Sequence, residues 1–63
     1  MIGFTTDKGQ YIEANKLTLK TKGLAGAYNT LYFVTTKGKT YPISFFEWKR
    51  LTILIKDGEY GRN

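Results

Sequence analysis

Residues 16–22, Lys-Leu-Thr-Leu-Lys-Thr-Lys, alternate without a break. Successive side chains of a strand point to opposite faces, so Leu17, Leu19 and Thr21 share one side and Lys16, Thr18, Lys20 and Lys22 the other. A helix would scatter both sets around its axis. The segment therefore specifies a strand with one face for a core and one positive face. A second run, residues 30–36, sets Leu31, Phe33 and Thr35 against Tyr32, Val34 and Thr36, and either of its faces could be covered.

The flanking sequence reads as hairpins. Residues 2–6 and 10–14 are apolar-alternating segments separated by Asp7-Lys8-Gly9, whose glycine can take positive φ. Ile12 and Ala14 share one parity and Leu17 and Leu19 the other, which demands a bulge or bend near Asn15. Gly23-Leu24-Ala25-Gly26-Ala27 is a small-residue connection to the second run. Lys37-Gly38-Lys39 turns the chain into residues 40–43, where Pro42 has no amide to donate and belongs at a sheet edge or strand end. Residues 5–11 and 35–41 echo each other with a one-residue difference in spacing, as two similar hairpins would.

Ser44-Phe45-Phe46-Glu47 has the form of a capping box, with Ser44 accepting from the Glu47 amide and the Glu47 side chain returning to the Ser44 amide; Ile43 and Trp48 form the hydrophobic staple. Beyond it Phe45, Trp48, Leu51 and Ile55 lie in one helical stripe with Thr52 beside them, and Asp57-Gly58 offers a stop. A rival reading ends the helix at Arg50 and makes residues 51–55 a strand. A second stripe, Phe46 and Ile53 with Leu54 at its margin, lies between Lys49 and Arg50, away from Trp48, Leu51 and Ile55. The expected fold is α+β and mostly β: an antiparallel sheet of four or five strands, or a small barrel, with one C-terminal helix. Residues 1–58 form the domain and residues 59–63 a frayed tail.

A chain of 63 residues has a thin core, and with no Cys and no His it lacks disulfides and the usual zinc ligands. Self-association is the remaining remedy, so a homodimer is expected, with Phe46, Lys49, Arg50 and Ile53 at the contact. The same absences remove the commonest general base, thiol nucleophile and metal ligands. Asp7, Glu13, Glu47, Asp57 and Glu59 each have a local role in a turn, strand face or cap, so no enzyme, cofactor or metal is expected. No apolar stretch approaches the roughly 20 residues that span a bilayer, and the N-terminus lacks the regions of a signal peptide. The chain reads as a soluble cytoplasmic protein with no membrane partner.

Ten basic residues against five acidic ones give a net charge of +5. Lys16, Lys20 and Lys22 occupy one strand face, while Lys8, Lys37 and Lys39 occupy turn tips. Phosphate neutralisation needs such cations, and single strands also need exposed aromatic rings on which bases stack. Of Tyr11, Tyr28, Tyr32 and Tyr41, the expected platforms are Tyr32 and Tyr41. Two motif fragments fail on context: Gly38-Lys39-Thr40 lacks the leading glycine of a phosphate loop, and Gly23-Leu24-Ala25-Gly26 follows a strand where a KH-type loop joins helices. The expected function is a non-enzymatic nucleic-acid-binding module for DNA or RNA. The alternative is a protein-interaction adaptor or inhibitor using the apolar helix face or a strand edge, with the lysines serving only solubility and edge protection.

Overall fold

In the computed structural model, which describes residues 1–23, 30–55 and 58–61, strand β1 (Ile2–Thr5) pairs antiparallel with β2 (Tyr11–Ala14). Their turn closes where Thr6 N–H donates to Gln10 O at 2.8 Å and Gly9 N–H donates to Thr6 O at 2.9 Å. Gly9 has φ +82°, so this three-residue loop needs the glycine. At Asn15 the chain bends and continues as β3 (Lys16–Gly23), which pairs with β4 (Thr30–Thr36). Thr36 fixes the bend by donating its hydroxyl to Lys16 O at 2.6 Å. The 23–27 connection lies, beyond Gly23, outside the described residues.

Strands β4 and β5 (Lys39–Ile43) are joined by Lys37 and Gly38 alone, with φ +53° and +75°. Positive φ at both positions is the type I′ turn that suits strand twist. The echo between residues 5–11 and 35–41 is thus a likeness of hairpins whose one-residue difference is a difference of turn. Thr6 and Thr36 occupy equivalent closing positions and are both buried. In a two-residue hairpin the closing pair Thr36/Lys39 is hydrogen-bonded, and the alternation then places Phe33/Pro42 at a non-bonded site. The amide that Pro42 lacks would have pointed off the sheet. Its carbonyl does point that way, and accepts from Asp7 N–H at 2.9 Å, linking the first hairpin to the edge of the second sheet.

Helix α1 (Phe45–Leu54) follows, and strand β6 (Glu59–Gly61) returns to pair with β3. The fold is α+β and mostly β, with a two-stranded sheet β1-β2 and a four-stranded antiparallel sheet in the order β5-β4-β3-β6. The larger sheet has four strands, within the four or five expected, and the β1-β2 hairpin stands as a sheet of its own. One edge of the larger sheet comes from residues 59–61, expected to fray. Gly58, at φ +69°, accepts Leu19 N–H at 2.7 Å through its carbonyl, and Tyr60 sits opposite Leu17 and packs on the core. Arg62 and Asn63 lie outside the described residues.

Leu51 and Ile55 are buried while Ile53 and Leu54 are exposed. That four-residue spacing is helical; a strand over 51–55 would have put Leu51, Ile53 and Ile55 on one face. The helix stops earlier than the expected Asp57-Gly58 signal. Ile55 is already extended at φ −126° and ψ 147°, with its N–H bonded to Leu51 O; Gly58 serves the turn into β6, and Asp57 lies outside the described residues. The core draws Ile2, Phe4 and Ala14 from the hairpin, Leu17, Leu19, Val34 and Ile43 from the larger sheet, and Leu51 and Ile55 from the helix and its cap.

Candidate nucleic-acid interface

Cross-strand register decides what shares a face with the lysines. Lys20 lies opposite Phe33, which lies opposite Pro42; Lys22 lies opposite Leu31; Thr18 lies between Glu59 and Thr35. Leu17, Leu19 and Val34 fill the other side. The outer face thus carries Lys16, Lys20 and Lys22 in a file along β3, a parallel file of Leu31, Phe33 and Thr35 on β4, and, among the described residues, one carboxylate, Glu59, at its border. Leu31 is half exposed and Phe33 partly exposed. A ridge of ammonium groups beside a ridge of apolar surface can neutralise a phosphate chain and give its bases something flat to rest on.

Tyr32 and Tyr41, expected as the stacking platforms, are on the opposite face. Tyr32 pairs with Ile43 and packs against Phe45 and Trp48, with ring centroids 5.5 and 5.2 Å apart; Tyr41 meets Phe4 edge-on at 5.9 Å. The physical reason is parity: once Val34 turns inward opposite Leu19, Tyr32 must follow it. Phe33 takes the place assigned to the tyrosines. It could have been found by asking which parity of residues 30–36 pairs with the outward lysines of β3. Tyr11 is exposed on β2, in the separate two-stranded sheet, and its ring covers Gly3 so closely that a Cβ there would overlap it. Tyr28 is outside the described residues.

Lys37 and Lys39 separate. Lys37 and Lys16 flank one open groove of about 340 Å³, with Thr18, Thr35, Glu59 and Tyr60 along it. Lys39 pairs with Thr36, so its parity is that of the core side, although it is exposed at the turn. The structure therefore brings Lys16, Lys20, Lys22 and Lys37 to one side of the sheet and leaves Lys39 off it.

The helix carries the other group of residues singled out in the sequence. Ser44 accepts the Glu47 N–H at 3.2 Å as a capping residue, but Glu47 does not return to the Ser44 amide. Its Oε2 accepts Thr5 N–H at 2.6 Å, while Arg50 donates from Nη2 to Gly3 O at 2.7 Å and binds Glu47 through Nε at 2.6 Å and Nη2 at 3.0 Å. The Thr6/Gln10 closure makes Gly3 and Thr5 the β1 residues whose main-chain groups point away from β2. The two side chains thus bond the outer edge of β1 as a neighbouring strand would. Arg50 holds the Glu47 carboxyl below the usual carboxylate range against the opposing effect of partial burial, with the Thr5 amide acting in the same direction as Arg50. The carboxylate in turn raises the Arg50 guanidinium. Arg50, expected at a self-association contact, is committed within the chain. Lys49 leans toward Phe45, its Nζ 5.7 Å from the ring centroid, and Phe46 and Ile53 stand clear, each 82% exposed.

No protein-family model matches the chain, and no curated protein and no solved structure is significantly similar to it. Among the described residues no cluster of three His, Cys, Asp or Glu side chains could hold a metal ion, and no helix is long and apolar enough to cross a membrane.

Proposed function

We propose that this chain is a small non-enzymatic nucleic-acid-binding module that works through the outer face of its four-stranded sheet. The observation that carries the reading is the register of β3 against β4, which sets Lys20 beside Phe33 and Lys22 beside Leu31 on one solvent-facing surface. Lys16, Lys20 and Lys22 contact successive phosphates, Lys37 contributes from the β4–β5 turn, and Phe33 supplies the stacking surface. A surface meant only for solvation has no need of Phe33 and Leu31 beside its lysines; edge protection accounts for Lys20 and Lys22, which lie beyond the stretch of β3 that β6 covers, but not for the apolar file beside them.

The test is binding of a fluorescent oligonucleotide at low and moderate salt by the wild type and by a Lys20→Glu, Lys22→Glu double variant. The wild type binds and weakens steeply with salt; the double variant, altered at two exposed positions, folds and does not bind. Absence of binding at low ionic strength, or binding indifferent to salt, overturns the reading. The adaptor reading draws on the exposure of Phe46 and Ile53. It gains if the chain ignores nucleic acid and remains a monomer while seeking an unlike partner.

A further inference from the structure

Three layers follow one another from the lysines to the helix. The outer sheet face carries Lys16, Lys20 and Lys22; the inner face carries Leu17, Leu19, Val34 and Tyr32; the helix packs on it with Leu51 and Trp48. Phe46 and Ile53 are seven residues apart, two helical turns, and point about 150° away from Leu51. They form the far side of the molecule from the lysines. We propose that this helix face seats a second copy of the chain about a two-fold axis, so that the dimer presents two lysine faces pointing apart and binds two nucleic-acid strands at once. The bivalence rests on the function proposed above; the helix contact does not.

Two apolar residues two turns apart on one azimuth are self-complementary. In an antiparallel crossing Phe46 of each copy meets Ile53 of the other, which is the reciprocity a two-fold contact requires. The exposed parts of Phe46 and Ile53, each 82%, with Leu54 at 56% on their margin, supply on the order of 400 Å² of apolar surface per chain, about half of the roughly 800 Å² per partner in a standard interface, which also includes a polar rim. Charge selects the same face. Each chain carries a net charge of +5, and pairing through the sheet would set Lys16, Lys20 and Lys22 against their own images. The two cations that border the helix stripe are drawn off it, Arg50 into Glu47 and Gly3 O and Lys49 toward Phe45. Joining helix to helix puts the two lysine files at opposite ends of the particle, where their repulsion is least.

The experiment measures mass by sedimentation equilibrium for the full chain and for a Phe46→Glu, Ile53→Glu variant, with circular dichroism to confirm that the variant folds. Energy transfer is then measured between donor-labelled and acceptor-labelled oligo-dT mixed with each protein. The expected result is a wild-type dimer that produces transfer and a folded monomeric variant that binds one strand with unchanged affinity per site and produces none. A monomeric wild type, or a variant that stays dimeric, overturns the helix contact. A dimer that binds oligo-dT without transfer overturns the bivalent arrangement. A dimer that binds no oligonucleotide removes the proposed function and the bivalence with it, and leaves the contact decided by mass alone.

Discussion

Lys37 is the described non-glycine residue held at positive φ, +53°, in a turn that favours Asn-Gly. A lysine there gives up backbone ease and places a charge at the rim of the groove it shares with Lys16. Lys37→Asn is expected to raise stability by about 0.5–1 kcal/mol in urea denaturation, and to weaken oligonucleotide binding with a shallower salt dependence. Glu47 is the second residue whose role exceeds its cap. Its folded-state pKa is lowered, so the unfolded chain binds the proton more tightly, and the stability it contributes is complete above about pH 5 and lost as pH falls through about 4 and below. Glu47→Gln, which leaves the Ser44 cap intact, is expected to cost about 1 kcal/mol at pH 7. The gap between the two proteins should narrow as pH falls below the ordinary glutamate range, and a difference that stays constant through acid would show that the loss is not electrostatic.

The strands and the helix differed in how openly the sequence declared them. Alternation over 16–22 marked one strand, the Asp7-Lys8-Gly9 and Lys37-Gly38-Lys39 turns marked two hairpins, and Ser44, which accepts the Glu47 N–H, marked the helix start, because each is a local signal that local physics satisfies. Strand β6 was not legible, since three residues with one inward side chain carry no periodicity, and their place is set by the Leu19 and Gly58 main chains. The faces of β4 were legible as two sets but not as inside and outside, because Tyr32 and Phe33 are both apolar enough for either. Only pairing with β3 assigns them, and that is why the stacking residue is Phe33. The reach of Glu47 to Thr5, 42 residues away in the chain, left no local trace either. Helical burial makes its own test. Leu51→Ala, at a fully buried position, is expected to cost about 2–5 kcal/mol and to leave so small a domain largely unfolded. Ile53→Ala should change monomer stability by no more than about 0.5 kcal/mol. Thermal melts at low protein concentration, where the helix contact is dissociated, separate the two.

At the scale of the molecule the chain sorts its chemistry by layer: Lys16, Lys20, Lys22 and Phe33 outside the sheet, Tyr32 and aliphatics between sheet and helix, Phe46 and Ile53 beyond the helix. The first layer is the functional claim, and it is tested most directly by titrating a fluorescent oligo-dT with wild type and with Phe33→Ala across a salt series. Three to four lysine–phosphate contacts on a single strand give a slope of log affinity against log salt of about −2 to −3, and loss of one stacking ring weakens binding by roughly five- to hundredfold without changing that slope. Equal affinity of wild type and Phe33→Ala, or a salt slope near zero, would contradict the assignment of the outer sheet face.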